Sequence, residues 1–412
     1  MKSRQEARRD LKGDLWGRKT RAAIRGIALC VAILCVAGCG GDDEPQGPQT
    51  RTVSKSGDAD FSTIQECINA SATRDTCVVH PGTYRERIRF RGAAIKVRSS
   101  QGPERTIIDG QDGGPVVTFS RGEKRDTLLK GFTITKGYAF SGEDALEHGG
   151  GIRMIAAGPT IEDCVLVDNH ADGDGGGLYC FGTASGPDIL NVVFHGNTAG
   201  GQGGGLCSLH GTPLLNNCLF FENQAVVGGA VSARYSGGTV LQNCTIADNA
   251  ADQAWALYML SATVKTINSI YWHNTPSGIQ PILMDLDPER GDTSFDLSYV
   301  DLQGGTENVD FANNCLEHPN RCTIDDHNGS GILDANPRFV PLLLEGPEGD
   351  PKQAFYLSQT DTGRTDQTVT SPCVEAGDRS AEDAGLEETT TRTDGVTDEG
   401  TVDFGYHYPA TM

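Results

Sequence analysis

One pattern is written five times between Gly149 and Asn274, and it constrains the fold more than any other feature of the chain. Each copy opens on a glycine-rich turn: Gly149-Gly150-Gly151-Ile152, Gly175-Gly176-Gly177-Leu178, Gly203-Gly204-Gly205-Leu206, Gly228-Gly229-Ala230-Val231 and the degenerate Ala254-Trp255-Ala256-Leu257. Each closes on a short apolar run ending in asparagine, at Asn169, Asn197, Asn223, Asn249 and Asn274, with spacings of 28, 26, 26 and 25 residues. Self-similarity at a fixed period of about 20–50 residues is the mark of a repeat architecture, in which each unit buries its apolar face only against its neighbours.

A unit of this length has room for two or three short strands and their turns. Between glycines and asparagine the apolar residues alternate and show no 3.6-residue period, which excludes a helix there. The pattern therefore predicts an all-β solenoid, each copy forming one coil of a parallel β-helix with equivalent residues stacked at roughly 4.8 Å. Two inward ladders follow. Cys164, Val192, Cys218, Cys244 and Ser269 form a small one, and Leu166, Phe194, Phe220, Ile246 and Tyr271 a larger one, which together fill a narrow core. The asparagines are expected at tight corners, where they tolerate left-handed dihedrals and bond their amides from coil to coil. The residues between, Val167, His195, Phe221, Ala247 and Trp272, should share an outward row.

The GGA[ILV]-like turn (Gly228 to Val231) and the FxxN-like runs (Phe194 to Asn197, Phe220 to Asn223) resemble repeats of the chlamydial polymorphic outer-membrane proteins. More broadly they are similar to the single-stranded right-handed parallel β-helix of the pectin-lyase-like superfamily. Pro81-Gly82-Thr83-Tyr84-Arg85-Glu86 and Leu129-Lys130-Gly131-Phe132-Thr133-Ile134-Thr135 resemble its early coils. Asn336 to Val340, Ser371 to Gly377 and Asp403 to Tyr408 resemble its closing segments. The resemblance implies right-handed coils and is specific for fold. It is a poor guide to activity. The similar chlamydial proteins are autotransporter adhesins, but no C-terminal run of alternating strands suited to a membrane barrel occurs here.

The N-terminus carries an address. A basic stretch precedes Gly26 to Cys35, whose ten residues suit a signal-peptide core and are too short for a stable membrane span. Val36-Ala37-Gly38-Cys39 resembles a bacterial lipobox, which makes Cys39 the expected lipidation site and residues 1–39 a signal segment. A polar tether at 40–56, a β-helix over 57–345 and a C-terminal closing segment at 346–412 are then expected. Acylation at Cys39 would join the protein to a membrane of the cell envelope, as an outer-membrane lipoprotein facing periplasm or cell surface. A capping box at Ser62-Thr63-Ile64-Gln65 predicts a short helix that plugs the N-terminal end of the stack, with Ile64, Cys67 and Ile68 inward.

Charge and cysteines narrow the partners. The formal net charge is −21, and residues 1–38 carry nine Lys/Arg against three Asp/Glu, so the remainder is near −27. Such acidity argues against nucleic acid and against a direct electrostatic hold on anionic lipid, and makes pectin-like polyanions poor partners unless a cation bridges. Thirteen cysteines suit an oxidising compartment. Two lie in the signal segment and one is Cys39. Of the other ten, Cys67–Cys77 and Cys315–Cys322 bracket short loops and are expected to pair, while Cys164, Cys218 and Cys244 read as buried small hydrophobes.

Two clusters could carry chemistry: Glu143, Asp144, Glu147 and His148, and Asp168, His170, Asp172 and Asp174. Paired carboxylates beside histidine divide acid and base roles or hold a cation. Asp168, Glu222 and Asp248 add a negative stripe along the stack. No Arg or Lys recurs in sequence beside either cluster, and no stretch matches an active-site motif of the pectate lyase or polygalacturonase families. Asp326, Asn328, Ser330 and Asp334 follow the front of an EF-hand calcium loop, but Pro337 stands where its chelating Glu belongs, leaving either a calcium site or a self-bonded turn. The outward row, with His195, Phe221 and Trp272, suits stacking on sugar rings or a surface protein unless a later segment covers it. The reading favoured by the sequence is an envelope lipoprotein that binds glycan or another surface without catalysis. Polysaccharide cleavage by a lyase or glycoside hydrolase is the alternative, and a structural spacer the third.

Overall fold

A computed structural model describes residues 47–142, 147–272, 280–327 and 331–338, and from there on Phe355, Leu357, Gln359 and most of residues 369–409. Residues 47–412 form one compact unit. Its main core runs from Val53 to Cys322 without a break. The unit is a stack of parallel coils with three sheet faces: a long face of 19 strands, a second face of nine and a short one of five.

Register follows the repeat. On the long face Leu166 pairs with Phe194, Phe194 with Phe220, Phe220 with Ile246 and Ile246 with Tyr271. All five are buried, and the Phe194 and Phe220 rings stack at 4.4 Å. Cys164, Val192, Cys218, Cys244 and Ser269 are buried beside them, as the alternation requires. The later coils continue in the 10-residue strands Thr263–Trp272 and Thr293–Leu302.

The asparagines do bond from coil to coil. Asn169 Nδ2 donates to Asn197 Oδ1 at 3.0 Å, Asn197 to Asn223 at 2.9 Å and Asn223 to Asn249 at 2.9 Å. Each amide also donates to a backbone carbonyl, among them Ile134, Leu166 and Phe194. The left-handed conformation, however, falls one residue earlier, on Asp168, Gly196, Glu222 and Asp248. A second column, Asp163, Asn191, Asn217, Asn243 and Asn268, is itself left-handed, with φ between 48° and 55°. It marks the bend that divides each coil's contribution to the long face into two strands. Asn191 donates to Asp163 at 3.0 Å and Asn217 to Asn191 at 2.9 Å.

The first glycine of each turn has positive φ, from 76° at Gly149 to 68° at Gly228. The second lies against the next coil: a Cβ on Gly176 would sit 2.5 Å from the Thr198 carbonyl oxygen and 2.6 Å from that of Gly204. These turns thus pack backbone on backbone, which only glycine permits.

The N-terminal plug forms with its capping box one residue later than the sequence reading. Thr63 is the N-cap and Glu66 its partner, in a helix spanning Ile64–Ala70 that buries Ile64, Cys67 and Ile68. The Gln65 side chain accepts from Arg89 N at 2.7 Å and donates to the Arg89 carbonyl at 3.2 Å, so it closes the first edge of the nine-stranded face. The expected tether is shorter than 40–56, because Thr50–Val53 already pairs with Thr76–Val79 as the first strand of the long face. Cys67–Cys77 and Cys315–Cys322 are disulfide-bonded.

The C-terminal segment lies along the side of the stack, not on its last coil alone. Gly405 N donates to the Asn268 carbonyl at 2.9 Å, Tyr406 N to Thr245 Oγ1 at 2.9 Å and His407 N to Asn217 Oδ1 at 2.5 Å. Three consecutive residues thus cross three coils.

Candidate functional site

The outward row of the long face has the expected register, Val167–His195–Phe221–Ala247–Trp272. It is covered. Phe355 and Tyr406 pack on Phe221 and Ala247, and Leu357, Cys373 and Phe404 on Trp272. Phe221 is 3% and Trp272 7% exposed. An aromatic sugar platform at Phe221 and Trp272 is therefore corrected: both rings are the floor under the C-terminal segment. His195 stays half-buried, stacked on Phe221 at 4.1 Å with Nε2 2.9 Å from Glu222. Asp168, Glu222 and Asp248 lie exposed on one corner.

The acidic turn after Asp168 divides into two groups. Asp174 is held on both oxygens. Oδ1 accepts from Gln202 N at 2.8 Å, and Oδ2 takes Arg234 Nη2 in an ion pair of which both sides are largely buried. Burial alone would lower the Arg234 pKa, but Cys207 and Asp174 beside it outweigh that and raise it. His148 stacks on Tyr179 at 4.6 Å, and its Nδ1 accepts from Asp174 N at 2.8 Å. Burial lowers the His148 pKa against the pull of Asp174 and Glu147, so the ring is neutral at pH 7. Its one lone pair is already engaged, which leaves none for a general base. Sequence reading found no cation here because Arg234 lies 60 residues beyond Asp174, on another coil. The signal was present: alternation in Val231–Arg234 turns Ser232 and Arg234 outward.

The second group is more open. The Asp172 carboxylate accepts from Ser141 N at 2.7 Å, bonds the Tyr138 hydroxyl and lies 3.3 Å from His170 Nε2. The Ser141 bond leads the causes that lower its pKa, so it stays an anion and an acceptor. Ser141 Oγ donates to Glu147 at 3.1 Å. Tyr138 meets His170 edge-on at 4.8 Å and Phe140 at 6.1 Å, and Phe140 is 45% exposed. Tyr138 and Phe140 were not singled out in the sequence, since they precede the repeats. Glu143 and Asp144 lie outside the described residues, as do Asn328 and Ser330 of the calcium-like loop, and Cys39. In that loop Asp334 Oδ1 accepts from Gly304 N at 2.8 Å. Among the described residues no group of three or more His, Cys, Asp or Glu is placed to hold a metal ion.

One carboxyl has a raised pKa of about 6: Asp301, pushed up by burial, with Cys373 Sγ at 3.1 Å. It lies beneath the C-terminal segment, out of reach of a substrate.

No curated protein sequence matches the chain. Solved structures similar to it include a pectin methylesterase from carrot, at 15% identity over 68% of this chain and 88% of that one with a TM-score of 0.45. Pectate lyase Pel9A is similar at 12% identity over 87% and 97%, with a TM-score of 0.36. The family model described as the right handed beta helix region matches residues 119–283. Two of the three parallel faces run on in register on both sides of that span, and the fold is that of a right-handed parallel β-helix.

Proposed function

We propose that this chain is an envelope lipoprotein, tethered through Cys39, whose β-helix binds a neutral glycan without cleaving it. The observation that carries the reading is the exposed Phe140 ring set beside Tyr138, His170 and the fixed Asp172 carboxylate. An apolar ring face stacks on a sugar, and adjacent acceptors order its hydroxyls. The groups that would turn binding into cleavage are engaged elsewhere: Asp174 by Arg234 and Gln202, His148 by the Asp174 amide. The acidic surface favours neutral over acidic chains.

The test uses residues 47–412 with immobilised neutral and acidic polysaccharides, following retention and the release of reducing or unsaturated ends. Retention without product is expected, weakened about tenfold in Phe140→Ala. Product that disappears in Asp172→Ala or Asp174→Ala would replace this reading with polysaccharide cleavage. Lipidation is tested separately, by fatty-acid labelling that Cys39→Ala abolishes.

A further inference from the structure

The net charge conceals a polarity along the stack. Residues 47–142 carry fifteen Lys/Arg against ten Asp/Glu, whereas residues 143–412 carry ten against thirty-nine. The first coils are thus at +5 and the remainder at −29.

Three of the exposed arginines of these first coils meet at one place. Arg89, Arg91 and Arg121 line a groove of about 540 Å³ with Gln65, Asn69 and Ser120, beside the N-terminal helix. All three arginines are exposed, and Arg87 next to them is too. Among the described residues none of the three forms an ion pair; Arg91 Nη1 donates only to Asn69 Oδ1, at 3.3 Å. The nearby carboxylates are turned to the backbone. Glu86 accepts from Ile64 N and Gln65 N, and Glu123 from Gly92 N and Arg121 N. Arg153 continues the outer row from Arg89 through Thr118, with its Nε buried and unpartnered.

This groove lies at the end of the stack where the chain enters. Thr50–Val53 is the edge strand of the long face, and Ile88–Arg89 that of the nine-stranded face. Cys39 is eleven residues before Thr50, a covalent reach of at most about 40 Å. Acidic coils further up are separated from this end by more than the screening length of about 8 Å at physiological salt.

We propose that the Arg89–Arg91–Arg121 groove is a docking surface for an anionic lipid headgroup layer, which stands the solenoid upright with its acidic end away from the membrane. The identity of the surface rests on the lipoprotein reading; the charge geometry does not. Arginine forks match phosphate oxygens, and each basic side chain at an anionic surface contributes about fivefold in partitioning.

The test is sedimentation of unlipidated residues 47–412 with vesicles of phosphatidylcholine alone or mixed with phosphatidylglycerol. Binding is expected on the anionic vesicles only, falling with salt. In Arg89→Glu/Arg91→Glu/Arg121→Glu the partition coefficient drops on the order of 100-fold at unchanged Tm. Equal binding to both vesicle types would overturn the proposal, as would undiminished binding of the triple variant. Stabilisation by inorganic phosphate without sedimentation would also overturn it, in favour of a small soluble anion. Absence of fatty acid on Cys39 would remove the anchor and leave the vesicle result standing, so the two failures are separable.

Discussion

Asn217 and His407 exchange two hydrogen bonds across 190 residues of sequence: Asn217 Nδ2 donates to the His407 carbonyl at 2.7 Å, and His407 N donates to Asn217 Oδ1 at 2.5 Å. The same asparagine amide bonds Asn191 on the preceding coil. One side chain therefore joins the column at the bend of the long face to the segment that covers it. Asn217→Ala strands two buried backbone groups and is expected to cost about 3 kcal/mol in equilibrium denaturation, with increased binding of an apolar dye as Phe221 becomes uncovered. Unchanged dye binding would mean that the covering segment is held elsewhere.

His407 also sets a pH dependence. It is wholly buried, which lowers its pKa to about 4; Nε2 lies 3.1 Å from the Asp403 carbonyl, and Nδ1 faces Asp398 at 3.4 Å. A lowered histidine binds its proton more weakly in the folded state. Its contribution is complete above the unfolded value near 6.5 and is lost as pH falls towards 4. Burial of Asp301, with pKa about 6, acts in the opposite sense: protonation relieves it, so its contribution is lost as pH rises through 6. Melting curves of wild type and His407→Gln should converge as pH falls from 7 to 4. Parallel curves would show that His407 does not titrate in this window.

The second glycine of each turn is expected to be intolerant of any side chain. Gly176→Ala forces a methyl into two carbonyl oxygens and is expected to cost about 3 kcal/mol or more. Gly237→Ala meets nothing within 4 Å and should stay within about 0.5 kcal/mol. Equal melting temperatures for the two variants would contradict the backbone packing described.

The unpaired thiols make a third check on the core. Cys164, Cys180, Cys207, Cys218, Cys244 and Cys373 are buried and free, and burial pushes Cys164, Cys180 and Cys207 up to about 12. Alkylation at pH 8 should leave all six intact in the native protein and label all six in denaturant. Rapid native labelling of Cys218 or Cys244 would place the ladder elsewhere than the core.

The ladders were legible because each position is written several times: Phe194, Phe220 and Ile246 report one environment in triplicate. The disulfides were legible from short loops between cysteines. What the sequence did not disclose is carried by single, distant pairs. Arg234 reaches Asp174 on another coil, and residues 404–407 settle on Asn268, Thr245 and Asn217 with no periodic signal of their own. For the same reason Phe221 and Trp272, placed correctly on an outward row, could not be known to lie beneath a cover. The left-handed column at Asn191, Asn217 and Asn243 was missed because its neighbours, the closing asparagines, carry the more regular motif.

The covering segment has a consequence for biosynthesis. Coils can stack as they are made, since each needs only the one before it. Phe221, Ala247 and Trp272 must then wait, solvent-facing, until residues from Phe355 to Tyr406 arrive to shield them. A chain interrupted during synthesis would carry a sticky flank along otherwise finished coils, a form well suited to recognition by chaperones and proteases. Completion of the polypeptide is thereby reported at its side, by the disappearance of an aromatic stripe.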